Sequence, residues 1–183
     1  AAFGLALGLP LLPLLYAIVK LDSRGPFLFR QVRTGLAGLP FVAMKIRTMV
    51  VDAEISGPQW AQPGDHRVTR LGRWLRAIRL DEIPQLINIL RGEMSFIGPR
   101  PERPEFIEQL KATIPFYEER LLVKPGLTGW AQVNFPYGAS VRDALEKLQY
   151  DLFYIKHRSL GLDFSIAIRT IGTILSGGGS FAR

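Results

Sequence analysis

Cysteine is absent from the 183 residues, which excludes disulfides, thiolate-ligated zinc and thiol catalysis. Histidine is scarce: His66 and His157 stand far apart and lack zinc-ligand spacing. No Walker loop or dinucleotide fingerprint occurs, so any nucleotide must be bound by other means. There is no internal repeat and no low-complexity linker. An initiating Met is missing too. The chain opens with Ala1 inside an apolar run, which reads as a fragment preceded by further sequence.

What is present is apolar and basic. Hydrophobic residues make up 48% of the chain against 21% charged, too greasy for disorder. The formal charge is +7, which suits nucleic acid, anionic lipid or a phosphorylated substrate without choosing among them.

Residues 1–19 carry no charge. At ~1.5 Å per residue a straight helix there would measure about 28 Å, close to the ~30 Å hydrocarbon core of a bilayer. A spanning helix is therefore admissible on length, and a buried core helix is a further reading. The prolines favour something else. Pro10 and Pro13 sit mid-segment after Gly4 and Gly8, and each proline removes a donor and favours a kink. A helix bent near Pro10 would dip into the membrane and return to the same face. Lys20, Arg24, Arg30 and Arg33 follow at once, which keeps the body of the protein on the cytoplasmic side.

Beyond it, residues 27–32 and 41–47 read as two strands of a small hairpin around the turn Thr34-Gly35-Leu36-Ala37-Gly38. Residues 57–66, with Pro58, Pro63 and Gly64, read as a loop. Helical patterns cover about 69–78, 83–91, 102–112, 140–157 and 162–175. In the last, Phe164, Ile168, Ile171 and Leu175 form a stripe that would be buried in protein or lie on a bilayer interface. The expected fold is α-rich α+β, a single domain over 1–183 with 1–21 as its membrane segment, a hairpin and amphipathic surface helices.

Asp81-Glu82 is the sharpest chemical feature. Two carboxylates before Pro84 make an ordinary helix start, since Asp caps and proline is tolerated in the first turn. The same position favours ionised carboxylate, and carboxylate oxygens bind Mg²⁺ beside phosphate or attack phosphorus. Arg67, Arg70, Arg73, Arg76 and Arg79 recur every third residue just before. Such a row drifts by about 60° per step around a helix, so all five cannot face one ligand. Arg100 stands between Pro99 and Pro101, a stiff setting suited to bidentate phosphate contact or simply a rigid connector. Lys45 and Arg47 share one face of a strand, polar site or wet side. Residues 124–130 form a turn-rich loop that lines a site or connects helices.

Taken in order, these segments resemble the bacterial sugar transferases, the monotopic phosphoglycosyl transferases. The resemblance covers nearly the whole chain. Its landmarks are Lys20-Leu21-Asp22-Ser23, Phe29-Arg30-Gln31-Val32-Arg33-Thr34-Gly35, Lys45-Ile46-Arg47-Thr48-Met49, Arg67-Val68-Thr69-Arg70-Leu71-Gly72, residues 80–86, 91–101 and 124–133. It implies a ping-pong reaction on a UDP-sugar. Asp81 matches the nucleophile, which attacks the β-phosphate and expels UMP. Undecaprenyl phosphate then takes the sugar phosphate from the aspartyl intermediate. Glu82 matches the partner acid, deprotonating the lipid phosphate or supporting a Mg²⁺ held by Asp81. Arg76 and Arg100, bracketed by Pro99 and Pro101, match groups near the phosphates, with Lys45 a further polar member.

Two departures stand out. Leu9 occupies the place before Pro10 where relatives often have Ser, and Pro13 is additional. Phe135-Pro136-Tyr137-Gly138-Ala139-Ser140 replaces a short Gly-Arg segment. That resembles the exopolysaccharide branch, which implies UDP-glucose or UDP-galactose as donor, an upstream membrane and regulatory region, and residence in the bacterial inner membrane. Membrane lipids are implied partners, a homodimer is admissible and nucleic acid is not expected. The rival reading is a non-catalytic basic adaptor at a membrane surface, with Asp81-Glu82 only a helix cap.

Overall fold

The computed structural model describes residues 1–2, 8–55, 57–60, 62, 64–135, 138 and 140–175. Gly4, Pro63, Pro136, Tyr137 and Ala139, used in the readings above, lie outside the described residues. The chain runs α1 (Leu12–Asp22), β1 (Leu28–Thr34), β2 (Pro40–Ile46), α2 (Arg70–Ala77) and α3 (Gln85–Leu90). Then follow β3 (Ser95–Ile97), α4 (Pro104–Thr113), β4 (Gly126–Thr128), α5 (Trp130–Asn134), α6 (Val141–His157) and α7 (Leu160–Leu175). The α-rich α+β expectation holds, and each of the five helical patterns after the hairpin contains an α-helix.

A 3₁₀ turn, Leu9–Leu11, precedes α1, with Pro10 inside it and Pro13 in the first helical turn, where its missing N–H costs nothing. Both prolines are exposed. The change of helix type thus falls at Pro10, where a kink is expected. No helix among the described residues is long and apolar enough to cross a membrane. One side of α1 packs inward: Leu15 and Val19 join Ile46 of β2 and Leu75 of α2 in a core cluster, with Leu80 against it. Leu14, Ile18 and Leu21 lie exposed.

Strands β1 and β2 pair antiparallel, Leu28 with Ile46 and Val32 with Val42, around a turn that takes Ala37 and Gly38 through positive φ. Asn88 of α3, wholly buried, locks this hairpin to the helix. Its Oδ1 accepts from Met44 N at 3.2 Å and its Nδ2 donates to Val42 O at 2.8 Å. A third layer forms where Phe106, Ile107 and Leu110 of α4 meet Ala144 and Leu148 of α6. Helix α6 begins with a Ser140–Asp143 capping box. On α7 only Ile166 is buried, while Phe164, Ile168, Ile171 and Leu175 all face outward. The helical stripe is therefore exposed rather than buried in protein.

The long segment between β2 and α2 is closed by an antiparallel bridge of Met49 with Val68. Asp65 and Arg67 stiffen it. Arg67 donates to Asp65, to Ala53 O at 3.1 Å and to Trp60 O at 3.3 Å. Hydrogen bonding from the Arg67 side chain holds the Asp65 carboxyl down to about 2. The ionised carboxylate therefore favours the folded state above its unfolded pKa, and this is lost as pH falls toward the folded value. Asp65→Asn should cost about 1–2 kcal/mol at pH 7. In paired denaturant melts the gap to wild type should shrink between about pH 4 and pH 2.

Candidate active site

A cavity of about 340 Å³ opens between the hairpin, α2, the turn after it and α6. Its wall carries Lys45, Arg76, Arg79, Asp81, Glu82 and Arg100 together. Four residues singled out from the sequence as catalytic or phosphate-binding, plus Lys45, thus meet in one place.

The carboxylate pair does not cap α3. Pro84 is its N-cap, without a side-chain cap bond, and Asp81 and Glu82 occupy a separate 3₁₀ turn, Leu80–Glu82. Thr69 caps α2 by accepting from Gly72 N, the helix ends, and Arg79 turns left-handed at φ 55. That conformation is costly for a residue with a Cβ. It reverses the chain so that both acids are buried, each 6% exposed. The apolar N-terminal segment braces this turn: a Cβ on Gly8 would lie 3.0 Å from the Ile83 side chain.

Glu82 is saturated with positive charge. Its Oε1 accepts from Lys45 Nζ at 2.7 Å and from Arg100 Nη2 at 3.0 Å. Its Oε2 has Arg79 Nη1 at 3.6 Å, too long for a hydrogen bond. Burial by itself raises this carboxyl, but Lys45, Arg100 and Arg79 together overcome that and hold it well below the usual range. Burial likewise lowers Lys45, aided by Arg100 and opposed by Glu82.

Asp81 is treated in the opposite way. Among the described residues no ion pair reaches it. Burial raises its carboxyl to about 6, and the neighbouring Glu82 adds to the rise against Lys45, Arg76 and Arg100. Two adjacent carboxylates are thus driven apart, one locked ionised and one poised near neutral, which marks functional chemistry more often than a structural turn.

Asp81 also suits a magnesium ion. Among the described residues there is no group of three or more metal-binding side chains. Mg²⁺ is commonly held by one or two carboxylates with substrate phosphates completing the shell, which fits a carboxylate that no described residue ion-pairs. The surrounding cations oppose a bare metal and favour its arrival with phosphate.

Of the arginine row, Arg70 and Arg73 are exposed, whereas Arg67, Arg76 and Arg79 reach the cavity. Arg76 Nε donates to Thr48 Oγ1 at 2.7 Å. Gly72 makes this possible, since a Cβ there would stand 2.1 Å from Thr48 O. Gly72→Ala should therefore force α2 off the strand exit and cost about 2–3 kcal/mol, measured by thermal and chemical denaturation.

Arg47 shares the wall of the cavity, but its guanidinium is spent on Pro26 O at 2.6 Å and Ser23 at 2.8 Å. It anchors the exit of α1. Pro99 and Pro101 do not line the main cavity. They are buried against a small crevice with Thr34 and Gly35, so they support Arg100 from behind. The turn-rich stretch 124–130 contains β4, which pairs parallel with β3, Ser95 beside Gly126 and Ile97 beside Thr128. Gly126 permits this approach, because a Cβ would come within 2.1 Å of Gly98 N.

Sequence reasoning missed Arg103, Gln132 and Lys147, which also line the cavity. Arg103 had a readable signal in the prolines around it, Pro101 and Pro104. The other two lie on α5 and α6, whose buried positions include Ala131, Ala144 and Leu148, so no local polar pattern marked them.

The model of the family described as bacterial sugar transferase matches residues 1–177. A UDP-N-acetylgalactosamine-undecaprenyl-phosphate N-acetylgalactosaminephosphotransferase of Aeromonas hydrophila is 45% identical over 180 residues, 98% of this chain and 43% of that protein. A UDP-glucose:undecaprenyl-phosphate glucose-1-phosphate transferase of Caulobacter vibrioides is 45% identical over 178 residues, 96% of this chain and 67% of that protein. One of the same name from Escherichia coli is 42% identical over 166 residues, 88% of this chain and 35% of that protein. The chain thus spans between a third and two thirds of the length of these relatives.

Proposed function

The chain belongs to the bacterial sugar transferase family, and on that premise we propose that it moves a hexose 1-phosphate from a UDP-sugar to undecaprenyl phosphate. The observation that carries this reading is the contrast within the dyad. Glu82 takes up Lys45, Arg100 and Arg79, and among the described residues no ion pair reaches Asp81 in the same cation-lined cavity.

In the first step an Asp81 oxygen attacks the β-phosphorus, the bond to the bridging oxygen breaks and UMP leaves. In the second, an oxygen of undecaprenyl phosphate attacks the same phosphorus, and the Asp81 carboxylate is restored. Arg76, Arg100 and Lys45 are placed to take the charge spread over the phosphoryl oxygens. One oxygen of Asp81 would hold Mg²⁺, which supplies charge neutralisation on the phosphates when bound. Glu82 is a poor base while three cations surround it. As phosphate draws those cations away it regains basicity, in time to accept a proton from the incoming lipid phosphate.

The acceptor is a lipid, and the surface supports its delivery. Leu14, Ile18 and Leu21 of α1 and Phe164, Ile168 and Ile171 of α7 present exposed apolar side chains. Gly8 and α1 pack beside Ile83 and Leu80, on either side of the dyad. A re-entrant membrane segment hinged at Pro10, with the catalytic body on the cytoplasmic face of the bacterial inner membrane, fits these surfaces. The relatives differ in the sugar that their names carry, so UDP-glucose, UDP-galactose and UDP-N-acetylgalactosamine are the donors to compare.

The test is UMP release from those donors, with and without Mg²⁺ and polyprenyl phosphate. A burst of UMP without acceptor, a phosphohexose adduct on Asp81 by mass spectrometry, and turnover on adding acceptor are expected. Turnover with no adduct under trapping conditions rejects the covalent step. No UMP from any donor rejects the reaction.

A further inference from the structure

Arg100 reaches Glu82 from a segment that has little means of holding itself. Prolines 99 and 101 lack backbone donors, and the Arg100 side chain is one-third exposed (33%). The segment is instead held by its carbonyls, each taken by a donor from elsewhere. Pro99 O accepts from Gly126 N at 2.8 Å and Glu102 O from Thr34 N at 2.9 Å. Pro101 O accepts from Arg33 Nη1 at 3.1 Å, and Arg100 O from Arg120 Nη2 at 3.0 Å. Four consecutive carbonyls are thus tied to four separate donors.

Arg120 differs from the other three. It is a buried charge, 6% exposed, in the 3₁₀ turn Tyr117–Leu122. Its Nη1 donates to Tyr117 Oη at 2.8 Å, and its Nη2 also donates to Asp151 Oδ2 on α6 at 2.8 Å. Asp151 is 2% exposed. A buried ion pair is weak evidence for stability, because well-packed apolar residues often replace one without loss. Both side chains also line the cavity wall, and Arg120 connects the pair to the backbone of the residue whose side chain touches the dyad.

We propose that Arg120, oriented by Asp151, is a positioning residue for phosphoryl transfer: it pins the Arg100 carbonyl and thereby sets the Arg100 guanidinium against Glu82 and the donor phosphates. The inference rests on the transferase reading above. The connection runs Asp151, Arg120, Arg100 backbone, Arg100 side chain, Glu82, each link a bond of 3.0 Å or less. It makes the placement of one cavity guanidinium depend on a nearly buried ion pair in the same cavity wall.

The experiment exchanges the pair for apolar residues, Arg120→Met with Asp151→Leu, in the full chain, and repeats the exchange in an Arg100→Ala background. The melting temperature should stay within about 5 °C of wild type. The kcat for UMP release should fall about 10- to 100-fold while KM for the UDP-sugar moves less than about threefold. In the Arg100→Ala background the same exchange should cost less than about twofold, because the link is already gone. Arg120→Lys, which keeps the charge but gathers its donors on one nitrogen in place of the planar fork, should show the same kcat loss if the apolar pair fails to fold. Ile114→Ala, in the neighbouring core, should lower the melting temperature yet multiply independently with Arg100→Ala. An unchanged kcat in the folded exchange variants overturns the proposal, as does a full multiplicative loss in the Arg100→Ala background. Failure of the parent reading is visible separately, as no UMP release by the unsubstituted protein, and takes this inference with it.

Discussion

Asp81→Asn should abolish UMP release, by roughly 10³-fold or more, while making the protein more stable. Asparagine keeps the shape and the hydrogen-bonding oxygen but cannot form the acyl phosphate. The gain in stability follows from linkage. Burial raises the folded-state pKa of Asp81 to about 6, so the proton is held more tightly in the folded protein than in the unfolded chain. Stability is therefore highest below the unfolded pKa and falls as pH rises toward 6. Asparagine carries no such penalty. At pH 7 to 8, without metal or substrate, the variant should gain about 1–3 kcal/mol, and the gain should vanish below about pH 4. Thermal melts across that range, run beside the UMP assay, check both halves. An inactive but destabilised variant would mean that the carboxylate is structurally needed, and retained activity would remove Asp81 from the chemistry.

Glu82→Gln should act in the opposite sense on stability. Glu82 is the shared counter-charge of Lys45, Arg100 and Arg79, two of them at 3.0 Å or less. A neutral amide leaves Lys45 buried beside two guanidinium groups with only Asp81 to answer them. Removing one member of such a buried set costs about 3–5 kcal/mol, here lessened by the exposed edge of Arg100. Lys45 should then turn toward Asp81 and hold it ionised but occupied. Turnover is expected to fall about 10²- to 10³-fold, with both the burst and the steady state affected. Denaturation at pH 7 and single-turnover UMP release measure the two effects. A Gln variant as stable as wild type would show that the cations are held by something other than Glu82.

The contrast between these two neighbours was not legible in the sequence. Asp81 and Glu82 are adjacent, and either suits a helix cap or a reactive site. What separates them is the left-handed turn at Arg79 and the arrival of Lys45 from β2 and Arg100 from beyond β3. Neither event leaves a local signature. The pairing of β3 with β4 went unread for a similar reason. Each strand has three residues, too few to show alternation, and they lie about thirty positions apart.

The hairpin, by contrast, was legible from its glycine turn between apolar-aromatic runs, and α6 from sustained spacing begun by Ser140 and Asp143. The drift of the arginine row holds for its three members on α2, where Arg70 and Arg73 face solvent while Arg76 is half-buried, whereas Arg67 and Arg79 lie off the helix. It gave no phase, so it did not say which would point inward. The stripe on α7 shows the same limit. Period reveals that Phe164, Ile168 and Ile171 share a face, but not whether protein or another medium covers it.

By itself the order of residues determined the helices, the hairpin, the proline-marked change in the N-terminal segment and the family, because periodicity, turn chemistry and motif order are local properties. Only the tertiary structure decided which of the two carboxylates gathers the cations, and that Arg120 holds the backbone of Arg100. Those are balances between burial and charges drawn from distant segments, and such balances exist only once the chain has folded.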